Sequence, residues 1–122
     1  MKTYLGIDYG RSKIGLAKGD DQARIATPFF IIQNKNNIES ALADILDQEG
    51  INEIVIGYPI SLSGNIGPQA REVDEFIGKL EKMGRPVSRQ DERFSTRSAV
   101  SSGHDDASSA SLILQTYLDS IG

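Results

Sequence analysis

Three short segments at the start of the chain alternate apolar and polar side chains in the manner of β-strands. In the first segment, Leu5 and Ile7 lie on one face, whereas Asp8 lies on the other. Polar turns separate the segments. Pro28 interrupts the third segment, which favours an edge strand or a bulge because proline cannot donate a hydrogen bond to a neighbouring strand. The predicted strands are residues 3–9, 14–17 and 24–32.

From residue 38 onward the apolar residues recur with the period of amphipathic helices. Gly50 ends the first helix, and Pro68 suits the first turn of the second, where a missing N–H does no harm. Residues 54–56 are apolar on both faces, which is typical of a buried central strand, and residues 86–90 form another short strand. The three helical stripes are Ile38, Ala41, Leu42, Ile45 and Leu46; Val73, Phe76, Ile77 and Leu80; and Ala110, Ile113, Leu114, Tyr117, Leu118 and Ile121.

This order of elements predicts one mixed β-sheet with helices on both faces. Hairpin connections join the first three strands, and helices connect the strands that follow, as in right-handed crossover units. We therefore predict an α/β, RNase H-like three-layer fold, with three antiparallel strands followed by two parallel ones. The sequence has no internal repeat, low-complexity tract or long linker, so residues 1–122 are expected to form a single domain.

Asp8 is the first candidate for chemistry, because it ends a strand and has a glycine two positions away on each side. Gly6 and Gly10 carry no side chain, so a metal ion or a phosphate could approach the carboxylate closely. Mg²⁺ prefers oxygen ligands of this kind. Arg11 and Lys13 in the following turn could contact phosphate oxygens. The alternative is a carboxylate that only accepts backbone hydrogen bonds within the turn.

Several segments, in order along nearly the whole chain, resemble the YqgF family, also called RuvX, of Holliday-junction-resolvase-like proteins. Members of this family are regarded as RNase H-fold nucleases. Their proposed roles are the maturation of the precursor of small-subunit ribosomal RNA and the resolution of four-way DNA junctions. The matching segments are residues 6–17, 57–59, 63–64, 67–70, 91–96 and 106–118.

The resemblance implies a catalytic site of three carboxylates, Asp8, Glu92 and Asp106, that hold two Mg²⁺ or Mn²⁺ ions. In such sites the metals clamp the scissile phosphate, activate a water and stabilise the leaving oxygen. Glu92 follows the strand at residues 86–90, so a parallel arrangement would bring it to the sheet end that carries Asp8. On position alone, a surface ion pair of Glu92 with a neighbouring arginine is the simpler explanation.

Helix phase distinguishes Asp106 from its neighbour Asp105. Asp106 lies on the stripe of Ala110 and Ile113 that must pack on the sheet, whereas Asp105 lies about 100° away. A carboxylate on a buried face costs free energy unless it is paired or metal-bound. Either aspartate could instead cap the helix. We assign the capping role to Asp105 or Ser108 and the metal-binding role to Asp106.

The glycine-rich segment 57–67 is a candidate surface for nucleic acid. It leads into a helix, whose first N–H groups suit a phosphate, and Tyr58 could stack on an unpaired base. A loop that needs glycine only to turn is the alternative. The expected nucleic-acid contacts are Gly10, Arg11, Lys13, Tyr58, Gly64, Gly67, Arg71, Arg93 and Arg97.

The interval between Glu92 and Asp106 is shorter than in the proteins that the chain resembles. Those relatives usually carry a helical segment there that is rich in lysine and arginine. Either this chain has lost that substrate-gripping element, or a loop is absent from the sequence as numbered. A genuine loss would weaken nucleic-acid binding before it affected the catalytic site.

Composition changes this picture only in part. The net charge of −4 argues mildly against nucleic-acid binding, but residues 1–35 carry six basic and three acidic side chains, so a local basic face is possible. The absence of cysteine excludes disulfides and thiolate metal sites. With no signal-like or membrane-spanning segment, we expect a cytoplasmic monomer or homodimer that binds structured RNA or branched DNA and no membrane.

The hypothesis from sequence is a metal-dependent endonuclease that processes the 5′ end of the 16S rRNA precursor. One alternative is a resolvase of four-way DNA junctions, and another is a binding module of the same fold with weak catalysis. A third is an actin-like or sugar-kinase-like phosphotransferase, because residues 8–10 resemble a phosphate-binding turn of that superfamily. Those proteins need a second lobe, for which the chain is too short.

Overall fold

The computed structural model describes residues 1–59, 68–91 and 106–121. Within these ranges it contains five strands and three helices, in the predicted order. The strands are β1 (Thr3–Tyr9), β2 (Lys13–Asp20), β3 (Thr27–Gln33), β4 (Glu53–Tyr58) and β5 (Val87–Asp91). The helices are α1 (Ile38–Gln48), α2 (Pro68–Glu81) and α3 (Asp106–Ile121).

The five strands form one sheet in the order β3-β2-β1-β4-β5. β2 pairs antiparallel with both β1 and β3, whereas β4 pairs parallel with both β1 and β5. This arrangement confirms the predicted fold class. The buried, doubly apolar strand at residues 54–56 lies inside the sheet, as its composition predicted.

Two hydrophobic clusters pack against the two faces of the sheet. Leu5 and Ile7 of β1 contribute to the larger cluster, together with buried residues of α1 and α2. Tyr4, which points to the opposite face, belongs to a second cluster formed with α3. Side chains alternate along a strand, so Asp8 lies on the α3 face together with Tyr4.

Helix α3 packs very closely on β1 and runs antiparallel to it. A Cβ atom at Gly6 would lie 2.7 Å from the Cβ of Leu114 and 3.0 Å from the carbonyl oxygen of Ala110. One turn later, Tyr117 meets Tyr4 edge-to-face, with ring centroids 5.7 Å apart. The start of α3 is therefore directed toward the end of β1 that carries Asp8.

The third strand begins later than predicted, at Thr27 instead of Arg24. The reason is a turn after β2, in which the side chain of Asp20 accepts hydrogen bonds from the N–H groups of Gln22 and Ala23. Arg24 adopts a positive φ of 55° in this turn. The edge position predicted from Pro28 is confirmed, and the pairing of β2 with β3 shifts register beside it.

Two other expectations need correction. β2 continues to Asp20 instead of stopping at Ala17, because it pairs with the whole length of β1. Ile121 belongs to α3 but is 43% exposed, so it is not part of the packed stripe. Within the three described ranges, no helix is long and apolar enough to cross a membrane.

We predict that Gly6→Ala destabilises the protein by about 1–3 kcal/mol, because a Cβ atom there would collide with α3. Gly78→Ala is the matched control, since a Cβ atom at this α2 position meets nothing within 4 Å. It should stabilise the protein by about 0.4–1 kcal/mol. Urea denaturation measures both changes. Equal stability of the Gly6 variant and the wild type would contradict the proposed packing constraint.

Candidate active site

The carboxyl ends of three strands lie side by side and form one edge of the sheet. β1, β4 and β5 run parallel, with Ile7 of β1 paired to Ile56 of β4 and Tyr58 of β4 paired to Asp91 of β5. The carboxyl ends of parallel strands are the usual position of ligand sites in α/β sheets. Asp8, near the end of β1, lies at this edge and is half-buried.

Asp8 and the start of α3 lie on the same face of the sheet. Asp8 follows Gly6 by two positions, and α3 packs directly over Gly6. Asp106, the first residue of α3, precedes the buried Ala110 by one turn. The backbone of α3 therefore leads from the Asp8 edge along β1, which is the helix placement expected from the sequence.

The side chains of the other two predicted metal ligands, Glu92 and Asp106, are outside what the structure describes. Glu92 directly follows β5 in the chain and lies outside the described residues, as do Gly64, Gly67, Arg93 and Arg97. For Asp106 only the helical backbone is described. Within residues 1–59, 68–91 and 106–121, no group of three or more histidine, cysteine, aspartate and glutamate side chains could hold a metal ion. The cluster of three carboxylates therefore remains a prediction.

The two glycines beside Asp8 have structural explanations that differ from the predicted one. The space beside Gly6 is filled by α3, so it does not admit a metal ion or a phosphate. At Gly10, a Cβ atom would lie 2.5 Å from the carbonyl oxygen of Lys13, so glycine allows the β1–β2 turn to close. Asn34 stabilises this turn, because its side-chain amide donates a hydrogen bond to the Gly10 carbonyl at 2.9 Å.

The β1–β2 turn, which follows Asp8 in the chain, carries two basic side chains. Arg11 and Lys13 are both exposed. The Arg11 guanidinium is paired with Glu72 of α2, and the Nη2–Oε1 distance is 2.9 Å. This hydrogen bond raises the pKa of Arg11 above its already high ordinary value. Arg71, also predicted as a phosphate contact, is exposed on α2.

A cleft of about 410 Å³ lies between the β1–β2 turn and the start of α2. Among the described residues its lining consists of Arg11, Ser12 and Gln69. All three side chains carry hydrogen-bond donors. The cleft therefore suits an anionic or strongly polar group near the Asp8 edge.

Tyr58 does not occupy the predicted position of an exposed stacking residue. It is only 8% exposed and packs in the larger hydrophobic cluster. Its hydroxyl donates a hydrogen bond to Asp74 of α2 at 2.9 Å. The guanidinium of Arg89 lies 5.6 Å from the centre of the ring and 3.4 Å from Asp74. Tyr58, Asp74 and Arg89 therefore connect β4, α2 and β5 and leave no exposed ring face for a base.

Two acidic residues of α2 that make these contacts, Glu72 and Asp74, were not predicted as site residues. Both belong to the polar face of an amphipathic helix, where acidic side chains are common and usually solvated. Glu72 is 61 residues away from Arg11 in the chain. No local pattern signals a pair of this kind. The burial of Tyr58, by contrast, follows from its alternation with Ile54 and Ile56 on β4.

Solved structures of similar fold show the fold class of the chain. It resembles RuvC from Thermus thermophilus, solved in complex with a Holliday junction substrate, with a TM-score of 0.68 over 99% of this chain and 96% of that chain. The identity is only 10%, so this likeness concerns the fold alone. The class is that of the RNase H-like fold.

The sequence comparisons identify the family. The family model described as "RuvX: Holliday junction resolvase" matches residues 2–120, so the chain belongs to the RuvX family, and the predicted resemblance is confirmed. A protein of Ruminiclostridium cellulolyticum named "Putative pre-16S rRNA nuclease" is 38% identical over 96% of this chain and 94% of its own length. A protein of the same name from Rickettsia conorii is 34% identical, over 96% of this chain and 86% of its own.

The alignment with the Ruminiclostridium protein spans 133 positions. This is more than the 122 residues of the present chain. The relative therefore has residues within the aligned region that this chain lacks. The sequence predicts a shortened segment between Glu92 and Asp106.

We predict that the stability of the protein falls more steeply above pH 10 in the wild type than in Tyr58→Phe. The pKa of Tyr58 is raised, first by its hydrogen bond to Asp74 and then by burial. The folded protein therefore holds this proton more tightly than the unfolded chain does. The resulting stabilisation is complete below the ordinary tyrosine pKa of about 10 and is lost as the pH rises through the folded value.

Free energies of unfolding measured in urea from pH 7 to 11 provide the test. At pH 7, Tyr58→Phe should cost about 0.5–1.5 kcal/mol, the usual contribution of one hydrogen bond. Asp74→Asn serves as the companion variant, because it removes the main cause of the shift while keeping the hydroxyl. A wild-type pH profile parallel to that of both variants would show that the Tyr58–Asp74 hydrogen bond does not stabilise the fold.

Proposed function

We propose that this chain is a divalent-metal-dependent endonuclease that cleaves structured nucleic acid and processes the 5′ end of the 16S rRNA precursor in the cytoplasm. The observation that carries this proposal is the position of Asp8, half-buried where β1, β4 and β5 end and where α3 begins. The names of the relatives from Ruminiclostridium and Rickettsia support the choice of substrate.

Asp8, Glu92 and Asp106 would hold the metal in this proposal. Carboxylate oxygens are the ligands that Mg²⁺ and Mn²⁺ prefer, and Asp8 supplies one at the sheet edge. Two such ions, when bound, would supply a clamp for the scissile phosphate and a water activated for attack. The chain has no cysteine, so hydrolysis with carboxylates as the protein ligands agrees with its composition.

The protein's own basic residues would orient the nucleic-acid backbone. Arg11 and Lys13 lie three and five positions after Asp8 and are exposed, and Arg71 is exposed on helix α2. Phosphate contacts of this kind position a substrate without reading its sequence. The predicted contacts at Gly10, Gly64, Gly67, Arg93 and Arg97 remain part of the proposal. Tyr58 is assigned a structural role instead of base stacking.

A second candidate activity is the resolution of four-way DNA junctions. The description of the matched family, Holliday junction resolvase, favours it. Symmetric cutting of a junction would require two active sites, and hence a homodimer. Cleavage of labelled precursor RNA, RNA hairpins and four-way DNA junctions with Mg²⁺ or Mn²⁺, combined with the molecular mass in solution, distinguishes the two activities.

We predict that Asp8→Asn abolishes metal-dependent cleavage while the protein remains folded, because the substitution removes an anionic ligand at nearly constant volume. Asp44→Asn, an exposed aspartate of α1, is the matched control and should retain activity. Both variants are assayed with Mg²⁺ and with Mn²⁺ after their thermal melts have been compared. Full activity of Asp8→Asn would refute the proposed site.

We also predict that nucleic-acid affinity falls as salt is added, with a slope set by a few phosphate contacts. Arg11→Ala should reduce that slope by about one unit. Arg24→Ala is the control, because Arg24 follows β2 at the opposite edge of the sheet. Binding titrations at several salt concentrations measure the slope. An equal effect of the two substitutions would mean that Arg11 acts only through net charge.

A further inference from the structure

The contact between Arg11 and Glu72 leaves part of the guanidinium available. The Arg11 Nε–H lies 3.0 Å from each carboxylate oxygen of Glu72, and Nη2 lies 2.9 Å from Oε1. A guanidinium has five N–H donors in a rigid plane. Nε and Nη2 are directed to the carboxylate, and Nη1 makes no hydrogen bond with the residues that the structure describes, so both of its N–H groups can face a second anion.

The two partners differ in how firmly they are held. Glu72 belongs to α2, next to the fully packed Val73, and its side chain is 34% exposed. Arg11 belongs to a surface turn, and its side chain is 73% exposed. A long side chain with this exposure would otherwise sample many rotamers. Glu72 therefore restrains Arg11, and the reverse effect is smaller.

The restrained guanidinium lines the cleft that it shares with Ser12 and Gln69. The hydroxyl of Ser12 and the amide of Gln69 are neutral donors, so these two side chains add no negative charge. A phosphate group in this cleft could receive hydrogen bonds from all three side chains. The cleft lies at the sheet edge that carries Asp8, on the side of α2, so such a phosphate would belong to the backbone of a substrate that passes this edge.

We propose that Glu72 is a positioning residue that fixes Arg11 for a backbone phosphate of the nucleic acid, bound in the cleft with Ser12 and Gln69. The inference rests on the proposed function. Its physical basis is preorganisation: an arginine already held in one orientation loses less conformational freedom when the phosphate binds. An exposed ion pair of this kind contributes little to folding, so its effect is expected in binding.

The test is a double-mutant cycle in nucleic-acid binding. The dissociation constants of labelled RNA hairpins and four-way DNA junctions are measured by fluorescence anisotropy, without divalent metal, for the wild type, Glu72→Gln, Arg11→Ala and the double variant. Glu72→Gln should weaken binding about two- to fivefold, the range that corresponds to an exposed ion pair. In the Arg11→Ala background it should cause no further loss.

Glu75→Gln is the matched control. Glu75 is an exposed residue of the same helix, and no ion pair involving it occurs within the described part of the chain. It reports the general effect of removing one negative charge, which should leave binding unchanged or slightly tighter. Thermal melts verify that every variant is folded.

Three outcomes would overturn the inference. Tighter binding of Glu72→Gln than of Glu75→Gln would identify Glu72 as a competitor of the phosphate. A loss that persists in the Arg11→Ala background would mean that Glu72 acts independently of Arg11, and equal effects of the two glutamate substitutions would mean that only charge matters. In all three cases nucleic-acid binding by the wild type keeps the proposed function intact. Failure of the wild type to bind either probe would instead reject both this inference and the proposed function.

Discussion

The close packing of α3 on β1 is the constraint on which the candidate site depends. A helix can approach a strand this closely only where the strand lacks a side chain, and Gly6 provides that position beneath Leu114. The small Ala110 lies on the same side of the helix and is fully buried. Because the contact is so near the end of β1, the first turn of α3 is brought to the edge where Asp8 lies. Gly6 therefore contributes to the candidate site by allowing α3 to pack closely on β1, and not by leaving space for a ligand.

Helix α2 contacts the β1–β2 turn, β4 and β5 at this edge through two acidic side chains. Glu72 reaches the turn after β1, whereas Asp74 binds Tyr58 at the end of β4 and Arg89 on β5. Through these two side chains α2 contacts the β1–β2 turn and two strands, β4 and β5, at the edge that carries Asp8. The two ion pairs among these contacts lie at the surface, so their contribution to stability is modest. Their consequence is geometric, since they restrict how far the strand ends and the basic turn can move relative to one another.

Most of the fold could be predicted from periodicity, because each strand and helix buries one regular set of side chains. The stripe from Val73 to Leu80 is buried as expected, and Pro28 correctly indicated the edge strand. The start of β3 was predicted wrongly, since the turn after β2 depends on hydrogen bonds that the Asp20 side chain accepts from backbone N–H groups and not on an apolar pattern. The site was predictable only in part. Strand alternation gives the face of Asp8, but long-range pairs such as Arg11–Glu72 arise from tertiary packing, to which a local pattern is insensitive.

The short range of surface electrostatics explains how an acidic chain could still bind nucleic acid at one edge. At the opposite edge, three basic side chains are paired with acidic neighbours, in Lys2–Glu53, Lys18–Glu49 and Arg85–Asp47. Near Asp8, Lys13 is exposed and makes no ion pair within the described ranges. Screening limits the reach of surface charges to about 8–10 Å at physiological salt. A nearby phosphate therefore responds to the side chains around it, such as Lys13, and not to the net charge of the chain, so an overall charge of −4 is compatible with nucleic-acid binding at this edge.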